Sequence, residues 1–271
     1  MQVLKAILIG DVVGDPGMDV LSNRLPHLIK EYSADFVTVN GENAADGFGL
    51  TAPVMERIFA AGADVITSGN HIWEKREFWP FLDSEPRIIR PMNYPAGSPG
   101  HGFAKLEKAS SWGPVTWMVI NLQGREYMTA LDCPFNTFDI FKNGTENPTT
   151  PENAIILVDF HAESTREKEA LAYYLDGRVS VIAGTHTHVQ TSDARILPKG
   201  TAYITDLGMT GALDSIIGMD SKICLDRARN QVLYRMEVAA PGAEGRTAIQ
   251  GVIAEIDRES KRAVSIKRLS A

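Results

Sequence analysis

Two histidines stand one residue apart in Gly184-Thr185-His186-Thr187-His188, directly after the apolar run 179–183. Imidazole nitrogen suits zinc, iron and manganese. The chain has six histidines, and two of them fall in this one loop. Four other stretches share its form, a short apolar run that ends in a polar loop. They deliver Asp11, then Glu42 with Asn43, then Asn70 with His71, then His161. Carboxylate, carboxamide and imidazole make a mixed O/N donor set, and neither cysteine belongs to it, which disfavours a structural zinc site. So many donors exceed what one ion uses. Two ions sharing a carboxylate would use them, and a pair roughly 3.5–4 Å apart serves phosphoester hydrolysis by clamping the attacking and leaving oxygens.

Taken singly, each residue also suits an ordinary role. Asp11 fits a turn or a helix cap, Glu42 and Asn43 fit loop positions that satisfy backbone groups, Asn70-His71 fits a cap, and His161 fits a hydrogen-bonded core imidazole. The glycines around Asp11 loosely resemble a phosphate loop, but the lysine of such a loop is absent. The joint pattern is what points to metal. In extended backbone His186 and His188 would face the same side, so both could reach one site. His27 and His101 lie outside the pattern, on an expected helix face and in a loop.

The elements that must position these groups follow from hydrophobic periodicity. Apolar runs at 3–9, 35–39, 63–67, 154–160 and 179–183 read as buried strands. Residues 10–17 read as a turn-rich loop, and 18–32 as an amphipathic helix with Pro26 as a kink point. Thr51 reads as the N-cap of a helix to Ala61, and Ser164 with Glu167 as the capping box of a helix to Leu175. Strand and helix alternate, which calls for parallel strands with right-handed crossovers. The proline- and glycine-rich stretch 86–102 is loop, 102–108 and 114–120 are strands, 134–141 is a short helix, and 143–151 is a polar connector. The tail at 195–197, 201–205, 232–238, 247–257 and 263–269, with a further helix near 221–229, reads as antiparallel strands. Trp73, Phe78, Trp79 and Phe81 are expected in the core, with a substrate wall or a subunit contact as the alternatives. The sum is two packed sheets with helices outside, in a single domain spanning 1–271.

Composition sets the outer bounds. The net charge of −7 and pI of about 5.4 argue against a strongly basic nucleic-acid surface. No apolar run is long enough to span a bilayer. Cys133 and Cys224 have no partnered spacing, and residues 1–10 lack the features of an export signal. A cytoplasmic protein without membrane association is the expectation.

The order Gly10-Asp11, Gly41-Glu42-Asn43, Gly69-Asn70-His71, His161 and Gly184-Thr185-His186-Thr187-His188 resembles the calcineurin-like metallophosphoesterases. That superfamily carries Asp-x-His, Gly-Asp, Gly-Asn-His, a lone His and a Gly-x-His-x-His-like loop, all at strand ends. Two positions depart from it. Val13 stands where a histidine is expected, and Glu42 stands where the bridging aspartate is expected. These departures are similar to a narrower bacterial subfamily, the YmdB-like cyclic-nucleotide phosphodiesterases. The runs IGDVVGDPG, VNGENAADGFG, TSGNHIW, INLQGR and GTHTHVQTSDARILPKGTAYITDLGMTG extend the resemblance over almost the whole chain.

The resemblance implies a four-layer α/β/β/α sandwich, with two mixed β-sheets flanked by helices. It implies one ion on Asp11, Glu42, Asn43 and His188, and a second on Glu42, Asn70, His161 and His186, with Glu42 bridging. Asn43 would replace the missing histidine, and the oxygen-rich site favours iron, with manganese or zinc as alternatives. Attack by bridging hydroxide with His71 as general acid would convert 2′,3′-cyclic nucleotides to 3′-nucleotides, with 3′,5′-cyclic nucleotides as a further substrate group. Rival readings are a phosphomonoesterase or nuclease on the same dimetal site, and a nucleotide- or RNA-binding regulatory protein with weak turnover. The expected partner is a small cyclic nucleotide, with RNA as an alternative and self-association into a homo-oligomer also anticipated.

Overall fold

The structure, a computed structural model, describes residues 2–143, 153–240 and 245–271. Its first part runs β1 (Val3–Ile9), β2 (Asp11–Val12), α1 (Gly14–Tyr32), β3 (Phe36–Asn40), α2 (Ala52–Ala60), β4 (Val65–Thr67) and α3 (Trp79–Ser84). The middle contributes β5 (Phe103–Ser110), β6 (Gly113–Gln123), α4 (Pro134–Asn143), β7 (Ile155–His161), α5 (Thr165–Leu175) and β8 (Val181–Thr185). The last part holds β9 (Arg195–Ile196), β10 (Ala202–Ile204), β11 (Met209–Ala212), α6 (Ser221–Asn230), β12 (Thr247–Ala248), β13 (Gln250–Asp257) and β14 (Ala263–Ser270).

Two mixed sheets form the centre, in the orders β14-β13-β1-β3-β4 and β5-β6-β7-β8-β10-β9. Parallel pairing joins β1, β3 and β4 in one sheet and β6, β7, β8 and β10 in the other. Antiparallel strands complete their edges. Strand alternation then sorts the apolar side chains into three layers. Leu4, Ala6, Leu8 and Phe36 meet Trp117, Val119, Leu157 and Val181 between the sheets. Ile7, Ile9, Val37 and Val39 face away, onto Met18, Leu21 and Leu25 of α1 and Ile58 of α2. Met118, Ile120, Val158 and Ile182 face the other way, onto Phe138 of α4 and Leu171 and Leu175 of α5. Three apolar layers separate four layers of structure, which is the α/β/β/α sandwich. Strands buried on both faces have no polar side, so they read as continuous apolar runs. Phe36 stacks on Trp117 at 4.7 Å between the sheets, and burying a ring of that size stabilises by about 1.5–3 kcal/mol.

Several local expectations change. Residues 10–17 are not a loop: Asp11–Val12 form β2, and α1 already starts at Gly14. β2 lies parallel to β11 in a third, three-stranded sheet, β12-β11-β2, that local periodicity does not reveal. The switch of partners needs Gly10, where a Cβ would sit 2.1 Å from the Gly208 carbonyl oxygen. The helix runs on through Pro26. Thr51 occupies the N-cap of α2 but its side chain makes no cap hydrogen bond. Ser164 accepts the Glu167 N–H as expected, whereas the Glu167 carboxylate accepts the N–H groups of Arg125 and Glu126 in place of reaching back. The tail is not wholly antiparallel, since β10 lies parallel to β8. No strand forms over 232–238, where only Val238 bridges to Met219. Phe78 is core, Trp73 and Trp79 are partly buried, and Phe81 is exposed. Residues 144–151 of the polar connector lie outside the described residues. No helix among the described residues is long and apolar enough to cross a membrane.

Candidate metal centre

Parallel strands of both sheets end on one side, and their exits carry the donor groups. Glu42 and Asn43 follow β3, Asn70 and His71 follow β4, His161 closes β7, and His186 and His188 follow β8. Asp11 opens β2, one residue beyond β1. The strand ends approach closely enough that Gly69 must lack a side chain, because a Cβ there would lie 2.2 Å from the His161 ring.

All seven anticipated donors come together, in two contacting groups. In the first, His161 Nε2 lies 2.9 Å from Glu42 Oε1, 3.0 Å from Asn70 Oδ1 and 3.0 Å from His186 Nδ1. One donor atom each from Glu42, His161 and His186 lie within 4.8 Å of one another, close enough to hold one ion. In the second, His188 Nε2 lies 3.1 Å from the Asn43 amide and 3.7 Å from Asp11 Oδ1. The groups join where the His186 N–H donates to Asp11 Oδ2 at 3.3 Å. Among the described contacts between donor side chains, those of Glu42 fall on the first group.

Each imidazole has its outward nitrogen occupied. The Thr185 hydroxyl donates to Asp159 Oδ1 at 2.7 Å and so accepts from His161 Nδ1–H at 3.0 Å. Thr67 and Asn40 also donate to Asp159. His186 Nε2 meets Glu163 Oε2 at 3.2 Å, and His188 Nδ1–H donates to the Ile217 carbonyl at 2.8 Å. With those partners the inward nitrogens of His186 and His188 are left as acceptors, whereas His161 Nε2 faces the oxygens of Glu42 and Asn70. Partners of this kind fix the orientation and basicity of metal-binding histidines. Thr185, Asp159, Glu163 and Ile217 escape sequence reasoning. The local hints are a carboxylate inside the apolar strand at Asp159 and one beside His161 at Glu163.

The extended-backbone argument for His186 and His188 does not hold. β8 stops at Thr185, and the two histidines take φ values of 101° and 63°. Left-handed backbone is costly for side-chain-bearing residues and clusters at functional sites. Here it turns the rings apart, one to each group. Val13 is 1% exposed and packs with Met209 and Met219, so an apolar contact occupies the position of the superfamily's histidine. Asn70-His71 leads into turn, not helix, so neither residue is a cap. His27 and His101 are exposed and stand apart.

Burial dominates the electrostatics. It pushes the Glu42 carboxyl up, but the His161 charge and the His71 N–H outweigh it and bring the group to about 2. Burial works against a charged His161, yet Glu42, Asp11 and Asp159 hold it protonated, raising it to about 9. Burial, then the His161 charge, lowers His186 to about 3. Burial raises Asp11. These values describe donors with only a proton to share. Glu42 Oε1 tests whether they fit an ion. It is fully buried, and its one near neighbour is the His161 imidazole, with Nε2 2.9 Å away in a contact outside ordinary hydrogen-bond geometry. A buried carboxylate oxygen normally has a partner. Here its lone pairs converge with two imidazole nitrogens and an amide oxygen, which is the donor chemistry of a metal cation. The residues fit the group.

A cavity of about 770 Å³ opens over this floor. His71, Glu163 and Phe48 stand at its rim, and α6 with the chain after it supplies a wall that includes Arg227, Leu233 and Met236.

A four-layer sandwich with this donor set at its strand ends defines a metallophosphoesterase, an enzyme class that hydrolyses phosphoric esters with the help of divalent metal ions. More narrowly, a family model described as "YmdB-like protein" matches residues 7–269, and the chain belongs to that family. It is 45% identical over 268 residues to a 2′,3′-cyclic-nucleotide 2′-phosphodiesterase of Bacillus subtilis, covering 98% of this chain and 96% of that one. A crystal structure described as a novel phosphatase from Mycoplasma pneumoniae matches with TM-score 0.88 and 32% identity, over 100% of this chain and 94% of that one. A Thermus thermophilus crystal structure described as a hypothetical protein matches with TM-score 0.87 and 38% identity, over 99% of both chains.

Proposed function

We propose that the chain is a dinuclear phosphodiesterase that opens 2′,3′-cyclic nucleotides to 3′-nucleotides. The convergence of the buried Glu42 carboxylate with the His161 and His186 imidazoles, one donor atom each within 4.8 Å, carries the metal part of this reading. The Bacillus subtilis relative supports the substrate. One ion would sit on Glu42, Asn70, His161 and His186, the other on Asp11, Glu42, Asn43 and His188, with Glu42 shared. Iron fits the oxygen-rich half best, with manganese and zinc as alternatives. Bound ions would neutralise phosphate oxygens and make water a nucleophile near neutral pH.

The protein's own groups do the rest. Asp159 through Thr185, Glu163 and the Ile217 carbonyl hold the three imidazoles in place. Glu42 Oε2 accepts the His71 N–H at 2.8 Å, which sets His71 beside the floor. His71 Nδ1 faces Glu74 at 3.5 Å and its ring stands edge-on to Phe48 at 5.1 Å. Nε2 is then free to carry a proton to the leaving group. Water gives up one proton to solvent as its oxygen adds to phosphorus, the P–O2′ bond breaks, and O2′ takes a second proton from His71. General acid catalysis of this kind contributes about 10²–10⁴-fold. The cavity is far larger than a phosphate and has apolar walls, which suits a nucleoside.

The test is a substrate panel on protein reconstituted separately with iron, manganese and zinc. It comprises 2′,3′- and 3′,5′-cyclic nucleotides, phosphomonoesters and short RNA. Fastest turnover of 2′,3′-cyclic nucleotides, with 3′-nucleotide as product, is expected, and 3′,5′-cyclic nucleotides are expected to be slower substrates. Preference for monoesters or internal RNA bonds would replace this reading with the phosphatase or the nuclease.

A further inference from the structure

Away from the donor groups, a lysine and an aspartate are buried together. Lys168 on α5 is 1% exposed, Asp206 just after β10 is 0% exposed, and Lys168 Nζ lies 2.7 Å from Asp206 Oδ2. Exchanging a buried ion pair for apolar side chains is often neutral or stabilising, so burial alone does not explain the pair. What the carboxylate touches does. Asp206 Oδ2 accepts the Thr187 N–H at 3.1 Å and the Thr187 hydroxyl at 2.8 Å. Thr187 is the residue between His186 and His188, the two whose backbone is left-handed. Asp206 Oδ1 accepts the Gly208 N–H at 2.8 Å, and the Gly208 carbonyl in turn accepts the Asp11 N–H at 3.2 Å. One carboxylate thus grips the loop that presents His188, with His186 at its other end, and, through one peptide, the strand that presents Asp11.

Lys168 completes the link. It stands in the first turn of α5, the helix that follows His161 and Glu163. Its ammonium balances the only charge on Asp206 and ties the exit of β7 to the exits of β8 and β10. The other donor group shares the His186 end of that loop but has further anchors of its own. His161 is set by Thr185 and Asp159, Glu42 by the His71 N–H, and His186 by Glu163. The two halves therefore depend unequally on Asp206.

We propose that Asp206, held by Lys168 and acting through Thr187 and Gly208, is the positioning residue of the Asp11–Asn43–His188 half-site and sets its metal affinity. The inference rests on the dinuclear reading above. It adds that one of the two ions, and not the other, is controlled from a carboxylate that touches neither.

Metal titration of the apoprotein tests it, with Mn²⁺ as the probe, calorimetry for the two affinities and electron paramagnetic resonance for spin coupling between the ions. The variants are Thr187→Val, which removes only the hydroxyl, its rescue control Thr187→Ser, and Asp206→Asn. Thermal unfolding of each apoprotein accompanies the titration. Thr187→Val and Asp206→Asn are expected to weaken one Mn²⁺ by about 10–100-fold, the size usual for partners behind metal ligands. The other Mn²⁺ should stay bound, and spin coupling should vanish at metal concentrations that saturate only the tight site. Thr187→Ser should restore both. Two unchanged affinities in Thr187→Val would overturn the proposal, as would equal weakening of both ions with a lowered melting temperature, which is a general folding effect. Unmodified protein that binds fewer than two Mn²⁺ would fail the dinuclear reading itself, and this proposal with it.

Discussion

The floor of the cavity and its α6 wall are built in opposite ways. On the floor, Asp11, Glu42, Asn43 and His161 are buried, and each histidine is tied at its outward nitrogen. In the wall, α6 buries no residue at all. It is kept in place by its Asp220 cap on the Ile223 N–H and by the small apolar cluster in which Cys224 and Met236 meet Val13, Met209 and Met219. Leu225, Val232 and Leu233 beside it are exposed. The contrast teaches where precision is needed. Metal donors must converge within a few tenths of an ångström, so they sit on strand ends that the core over-determines. A wall for an organic substrate would need only shape and apolar surface, and a loosely packed helix provides both.

Mutations sharpen this contrast in order of size. Glu42→Gln removes the shared charge, and turnover should fall by more than about 10³-fold, since bound ions supply several kcal/mol of transition-state stabilisation. Elemental analysis should show ions lost, and chelation of the unmodified protein should reproduce the defect. Retained activity would break the claim that the floor is the reaction centre. Next comes His71→Ala, expected to keep its metal while kcat falls by about 10²–10⁴-fold. Near-full activity on an unactivated diester would remove His71 from the acid role. Glu163→Gln should weaken metal binding by about 10-fold, readable by calorimetry.

The wall should respond differently. Leu233→Ala is expected to raise KM for 2′,3′-cyclic nucleotides by about 3–10-fold through lost apolar contact, with kcat little changed. A small dialkyl phosphate, which carries no base, should be insensitive. A kcat effect of the floor's size would mean that the wall shapes the reaction itself. Leu225→Ala, on an exposed face of α6, should shift unfolding free energy by no more than about 0.5 kcal/mol in a denaturant titration.

The sequence by itself determined the chemistry of the donors and their order. Apolar runs that end in Asp11, Glu42-Asn43, Asn70-His71, His161 and His186-Thr187-His188 are local patterns, and each reports a buried strand with a polar exit. Parallel alternation then brings such exits to one side of the sheets. The sandwich was legible for the same reason, because strands covered on both faces have no polar alternation. Tertiary structure decided which nitrogen of each imidazole points inward, since that rests on Asp159 through Thr185, on Glu163 and on the Ile217 carbonyl. It decided the pairing of β2 with β11, which turned an expected loop at Asp11 into strand. It also decided the left-handed turns at His186 and His188, where local preference alone favours extended chain. Those features depend on hydrogen bonds between segments far apart in the chain, and such bonds are specified only once the two sheets have packed.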